Sequence, residues 1–148
     1  MVNFYNYRAH NFKGKPVNLT IASGPVIFND KKEFLLHRSE SSGKYQFIGG
    51  RLDCKKTLRE NAIFRAAQEG FKVLLKEVEP FVIVDEIKRN KEKEIVVLIH
   101  YLAELDSKVM PESGEWGWFS IDQIKDLEKK DDVSTPNILL AAKFFLKR

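Results

Sequence analysis

The strongest constraint on the fold is the stretch from Gly49 to Phe71, GGRLDCKKTLRENAIFRAAQEGF, which predicts a glycine loop followed by one helix. Two adjacent glycines allow the backbone to turn sharply or to approach a ligand closely. Thr57 and Glu60 have the S/T-x-x-E spacing of a capping box, which predicts that the helix begins there. Gly70 has the conformational freedom to end it.

Two faces of this helix differ in character. One face is an apolar stripe made of Leu58, Ala62, Ile63, Ala66 and Ala67. The other face is polar and carries Asn61, Arg65, Gln68 and Glu69. Because side chains three or four residues apart are neighbours on a helix, we expect this polar face to converge over the glycine loop.

Composition limits the class of protein. A chain of 148 residues with 43% hydrophobic and 31% charged residues is typical of one soluble globular domain. The net charge of +4 suits a phosphate-bearing ligand, and it suits a solvated lysine surface equally well. The one cysteine, Cys54, favours a reducing compartment. Neither a signal peptide nor an apolar run long enough to span a membrane is recognisable, so we expect a cytoplasmic protein that does not bind membranes.

The rest of the chain is rich in predicted strands. Residues 1–16 form an N-terminal arm of interleaved aromatic and basic residues, for which packing on the domain is a better explanation than binding to nucleic acid. Residues 17–28 predict a strand whose hairpin partner begins at Phe34, and residues 73–87 and 94–105 predict two more long strands. Both faces of residues 94–105 are apolar, so this strand is predicted to be central, with His100 as a hydrogen-bonded core residue. An amphipathic helix is predicted at the C-terminus.

The loop and helix resemble a Nudix box, G-x5-E-x7-R-E-U-x-E-E-x-G-U with U apolar. Aligned from Gly50, the sequence keeps Glu69 as the second residue of the Glu-Glu pair. Lys56 replaces the first glutamate of the box, Arg65 replaces the glutamate of Arg-Glu, and Gln68 replaces the first residue of the pair. The stretch Glu115-Trp116-Gly117-Trp118-Phe119 is similar to the segment that precedes the last helices of Nudix proteins.

The resemblance implies an α/β (α+β) fold, a single-domain Nudix sandwich of mixed β-sheet flanked by helices. It also implies hydrolysis of a nucleoside diphosphate linked to another group, with Mg²⁺ or Mn²⁺ held by oxygen ligands. The metal ligands carried over from the family are Glu69, the carbonyl of Gly50, and Gln68. Glu69 is also a catalytic candidate, together with Glu112 and Glu115 in the late loop.

Candidate contacts to a nucleotide-like substrate are basic or aromatic: Arg38, Phe47, Arg51, Lys56 and Arg65. The opening Gly49-Gly50-Arg51 is similar to GDP-mannose mannosyl hydrolases, so a nucleotide sugar is one expected substrate. The lost carboxylates favour weakened or altered metal use, including none at all. Two alternatives stay open: an inactive homologue that binds a nucleotide or phosphate through its basic loop, and a protein-interaction scaffold. Nudix proteins often dimerise, so a homodimer is also considered.

Overall fold

The computed structural model describes residues 7–10, 16–106, 115–135 and 137–147. In these ranges the chain forms nine strands and three helices: β1 (Tyr7–His10), β2 (Pro16–Ile27), β3 (Phe34–Arg38), β4 (Tyr45–Gln46), β5 (Gly50–Arg51), α1 (Leu58–Gln68), β6 (Val73–Leu75), β7 (Phe81–Arg89), β8 (Glu92–Leu105), β9 (Trp116–Phe119), α2 (Ile121–Lys129) and α3 (Asn137–Leu146). The described helices include none that is long and apolar enough to cross a membrane. The predicted mixed architecture of sheet and flanking helices is confirmed.

The larger sheet is organised around β8. Strand β2 pairs with β8 in parallel, from Asn18 opposite Glu94 to Ile27 opposite Ala103. On its other side β8 pairs with β7 and β6, and β2 carries β1 and β5 on its outer side. The prediction that residues 94–105 form a central strand is therefore confirmed.

The prediction that β2 and β3 pair as a hairpin is wrong, except at the turn that joins them. The two strands are joined by a single bridge between Phe28 and Phe34. After that bridge β3 enters a second, smaller sheet, between β4 and β9. Strand β3 uses its two edges to pair with β9, from Phe34 to His37, and with β4, at His37 and Arg38, so the hairpin with β2 is not extended.

The main core joins both sheets to the last two helices. Its most buried members come from β2, β3, α2 and α3: Val26, Phe34, Leu36, Ile124, Ile138, Ala141, Ala142 and Phe145. Helix α3 is amphipathic, as predicted, because its buried residues recur at helical spacing. Helix α2 begins at Ser120, whose hydroxyl accepts a hydrogen bond from the Gln123 amide in a second capping box.

Helix α1 begins and ends where the sequence predicts. Thr57 accepts a hydrogen bond from the Glu60 amide, and the Glu60 carboxylate accepts one from the Thr57 amide. Gly70 has a φ of +88°, a left-handed conformation that glycine adopts without strain. The buried face of α1, at Ala62 and Ala66, packs on the larger sheet and fixes the helix beside the glycine loop.

Candidate functional site

Asn61 holds the glycine loop against the sheet. It is fully buried in α1, and its Nδ2 donates to Ser23 Oγ at 3.0 Å and to the Gly50 carbonyl at 3.3 Å. Its Oδ1 accepts a hydrogen bond from the Asp53 amide at 3.1 Å. The Gly50 carbonyl, expected from the family resemblance to bind a metal, thus accepts a hydrogen bond from the Asn61 amide.

Arg65 lies across the same loop. Its Nη2 donates to the Arg51 carbonyl at 2.6 Å, and its Nη1 donates to Gln68 Oε1 at 3.0 Å. A Cβ atom on Gly50 would come within 2.5 Å of Arg65 Nε, so the absence of a side chain at Gly50 lets the guanidinium approach. The predicted convergence of the polar helix face over the loop is confirmed for Asn61 and Arg65.

This arrangement does not fit a Nudix-type divalent cation. Magnesium and manganese need several oxygen ligands with net negative charge. Gln68 offers its oxygen to Arg65, and Gly50 offers its oxygen to Asn61, so Glu69 is left as the carboxylate of this face. Within the described ranges, histidine, cysteine, aspartate and glutamate form no group of three or more that could hold a metal.

A cleft of about 320 Å³ opens on the other face of the sheet, beside the glycine loop. Alternate residues of β8 form its floor, since they point to the same face: Glu94, Val96, Leu98 and His100. One wall contains Phe47 and the segment 49–51, and the opposite wall contains residues 134, 135, 137 and 138. This volume lies at the lower end of the range of small-molecule sites.

Both ends of the cleft floor carry buried polar side chains. At one end the Thr20 hydroxyl donates to the Glu94 carboxylate. At the other end Asn137 Nδ2 lies 3.1 Å from His100 Nε2. His100 is hydrogen-bonded and buried, as predicted, but it also lines the cleft. Burial lowers the pKa of His100 to about 4, so its ring is neutral near pH 7.

Glu69 lies at the C-terminal end of α1, near the half-buried His37 of β3. Burial lowers the pKa of His37, and the negative charge of Glu69 opposes that shift to a smaller extent. The imidazole also stacks on Trp116, with ring centroids 4.5 Å apart. Neither Glu69 nor His37 lines the cleft.

The other candidate residues lie apart from the cleft. Arg38 Nη1 lies 3.1 Å from Asp132 Oδ1, and Arg38 Nε lies 3.7 Å from Glu115 Oε2. The candidates Arg38 and Glu115 therefore contact each other. Lys56 pairs with Asp53 at 3.3 Å. Glu112 lies outside the described residues. Phe47, Gly50 and Arg51 are the candidates that the fold brings to the cleft, and their roles stay predictions.

Sequence reasoning missed several polar residues of the site: Thr20, Ser23, Glu94 and Asn137. Asn137 gives a weak signal, because an amide at the start of an otherwise apolar helix is either a cap or a buried contact. The pairing of Asn137 with His100 joins residues 37 positions apart, which no local pattern reveals.

Acid is expected to destabilise the fold through His100. Its pKa is 6.5 in an unfolded chain and about 4 when folded, so between these values the unfolded state binds more protons and stability falls as pH falls. Between pH 7 and pH 5 this loss should be about 2 kcal/mol. Urea unfolding at both pH values measures it, and His100→Gln should reduce the pH dependence by that amount. An unchanged slope in the variant would contradict the assignment.

Comparison with known proteins agrees with the fold. No curated protein matches the chain. Among solved structures, a NUDIX hydrolase from Nitrosomonas europaea has a TM-score of 0.65 at 17% identity, over 86% of this chain and 88% of that one. A C. elegans Ap4A hydrolase has a TM-score of 0.64 at 17% identity, over 88% and 99%. A MutT protein from Methanosarcina mazei Go1 has a TM-score of 0.58 at 23% identity, over 87% and 94%.

Identities this low establish similarity of fold and not of substrate. The family assignment rests on the sequence, because the NUDIX domain family model matches residues 18–140, most of the chain. The Nudix fold that the resemblance implied is thus confirmed by sequence and by structure. The chain belongs to the Nudix family.

Proposed function

We propose that this Nudix protein binds a nucleoside-diphosphate-type ligand, such as a nucleotide sugar, in the cleft beside the glycine loop, without a divalent cation. The observation that carries the proposal is the position of the Arg65 guanidinium, which contacts the loop at Gly50 and Arg51. A fixed positive charge therefore stands where the Nudix box has a carboxylate. It repels a metal ion and attracts a diphosphate.

The cleft suits the two halves of such a ligand. Arg51 is exposed and is the cationic side chain among the described residues that line the cleft, so we assign the phosphate contact to it. Arg65 lies behind the loop and adds positive potential there. Phe47 and the apolar floor of β8 offer a surface for a flat, uncharged group.

Hydrolysis with altered metal use is the second candidate. It is favoured by Glu69, which keeps its place in the box and lies near the His37 imidazole. A neutral histidine beside a carboxylate can take a proton from an attacking water. Glu69 also faces solvent, where a weakly held cation can reach it.

Calorimetric titration with nucleoside diphosphates and nucleotide sugars, in excess EDTA and again with Mg²⁺, tests the first proposal. We expect the same dissociation constant in both buffers. Arg51→Gln should weaken binding about 10-fold, because a charge-assisted phosphate contact is lost. Arg59→Gln is the matched control, since Arg59 pairs with Glu77 away from the cleft, and it should bind as the wild type does.

Product release assayed on the same samples separates the candidates. Turnover that requires Mg²⁺ and disappears in Glu69→Gln would overturn the proposal of metal-free binding and support hydrolysis. Absence of both nucleotide binding and turnover would leave the protein-interaction scaffold as the function to pursue.

A further inference from the structure

Strand β7 forms an edge of the larger sheet. In the part of the chain that the structure describes, it pairs with β8 and with no other strand. Val82 and Val84 of β7 are 52% and 62% exposed, more than any other large apolar side chain among the described residues. They lie opposite Ile99 and Val97 of β8, on the face of the sheet that packs on α1. Exposed valines on an unpaired strand edge mark a surface that readily pairs with another strand.

We propose that β7 is the interface of a homodimer, in which two copies of the chain pair through this edge. The two strands run antiparallel, with Val84 of one copy opposite Val84 of the other, so that the larger sheets join into one. This inference is independent of the proposed nucleotide binding, because no residue of β7 lines the cleft.

The turn after β7 determines which backbone groups face outward. Asn90 and Lys91 have φ angles of 53° and 67°, as in the two-residue type I′ turn of a hairpin. The residues that flank this turn, Arg89 and Glu92, therefore form a hydrogen-bonded backbone pair. Because such pairs alternate along an antiparallel ladder, every second residue of β7 directs its N–H and C=O groups to the free edge. These residues are Val82, Val84, Glu86 and Lys88. A pairing centred on Val84 would use them for about six backbone hydrogen bonds between the copies.

Charge and length select this register over its neighbours. A centre at Asp85 or Glu86 would place a carboxylate directly opposite its own copy, which is destabilising. Centres at residues 83 and 87 would pair only residues 81–85 or 85–89 of the strand. A centre at Val84 pairs residues 81–87, brings the four exposed valines of the two copies together, and places no like charges opposite each other.

The ends of the paired strands are complementary in charge. Glu79 lies just before β7, Lys88 lies near its end, and both residues are exposed. When the pairing is centred on Val84, Lys88 of one copy lies opposite residue 80 of the other, and so beside Glu79. The two-fold symmetry produces this opposite-charge contact twice. A parallel arrangement would instead place each charge beside its own copy, so charge favours antiparallel self-pairing.

Helix α3 leaves room for the second copy. It approaches β7 at Phe81, whose ring centroid lies 5.1 Å from that of Phe144. In the proposed pairing Phe81 lies opposite Ile87 of the other copy, so the two α3 helices lie at opposite ends of the paired strands. The two-fold axis is perpendicular to the joined sheet, so both clefts open on the same side of the dimer.

Sedimentation velocity of the wild-type protein from about 1 to 200 µM tests the association. We expect a dimer with a micromolar dissociation constant, because one added strand buries less surface than a permanent interface. Val84→Lys places two like charges opposite each other and should raise this constant at least about 10-fold. Leu140→Lys is the matched control, since Leu140 is an exposed apolar residue of α3, and it should dimerise as the wild type does.

Cysteine cross-linking tests the register in a Cys54→Ser background, since Cys54 is the one cysteine of the chain. Val84→Cys should form an intermolecular disulfide on oxidation, because the Cα atoms of opposed residues would lie about 5.5 Å apart. Val82→Cys is the matched control, because it would lie opposite Glu86 of the other copy, and it should cross-link at least about 10-fold more slowly.

Three results would overturn the inference and leave the proposed nucleotide binding untouched. The first is a wild-type protein that stays monomeric over the whole concentration range. The second is a dimer that persists unchanged in Val84→Lys. The third is equal cross-linking of Val84→Cys and Val82→Cys, which would exclude the register centred on Val84.

Discussion

Replacing Arg65 and Gln68 together by glutamate is expected to create a Mn²⁺ site that binds at least about 100-fold more tightly than the wild-type protein does. The double variant Arg65→Glu/Gln68→Glu removes the guanidinium from the loop and places two carboxylates beside Glu69. The Arg51 carbonyl, released from Arg65, becomes a further oxygen ligand. Isothermal titration with MnCl₂ measures the gain.

Two controls separate this site from a general charge effect. Lys129→Glu, at an exposed position of α2, also makes the protein more negative. This variant should not bind Mn²⁺ more tightly than the wild type does. Arg65→Gln removes the cation without adding a carboxylate and should give a gain well below that of the double variant. If the double variant binds Mn²⁺ no better than the wild type, Arg65 is not what displaces the metal.

The second large effect is expected on stability. Gly24→Ala should lower the free energy of unfolding by about 3 kcal/mol or more. A Cβ at this position would lie 2.0 Å from the Ile48 carbonyl oxygen and 2.7 Å from Gly49 Cα. Both are backbone atoms, so the strand and the glycine loop must separate to admit a methyl group. Urea unfolding followed by circular dichroism measures the loss.

Gly49→Ala is the matched control for that substitution. A Cβ on Gly49 would meet its nearest atom, the Ser23 carbonyl oxygen, at 3.6 Å, which is an ordinary contact. We expect its stability to change by less than about 1 kcal/mol. Equal stability losses in Gly24→Ala and Gly49→Ala would show that the loop does not pack closely on β2.

The sequence was sufficient for features decided by near neighbours. A capping box or a glycine stop depends on residues within one turn of the helix. The structure contains the capping box at Thr57 and the helix end at Gly70 where the sequence predicts them. Ser120, the cap of α2, likewise bonds to a residue within one turn, Gln123. Strand β8 was recognisable as central because both of its faces are apolar.

Features decided by distant contacts were not predictable in the same way. The pairing of β3 depends on β9, which begins 78 residues after it, at Trp116. Helical spacing predicted that Arg65 faces the loop. Whether its guanidinium bonds to Gln68 or pairs with Glu69 depends on how closely Gly50 approaches the Arg65 side chain. The polar residues of the cleft that sequence reasoning missed come from three separate elements, β2, β8 and α3, so no single motif marks them.

We infer that the guanidinium of Arg65 takes the place of a metal ion beside the glycine loop. Electron paramagnetic resonance of Mn²⁺ titrated into wild-type protein tests it most directly, because the signal of free Mn²⁺ falls when the ion is bound. We expect the free signal to persist up to about 1 mM Mn²⁺, a concentration at which weak surface carboxylates begin to bind. Stoichiometric binding well below that concentration, lost in Glu69→Gln, would contradict the account.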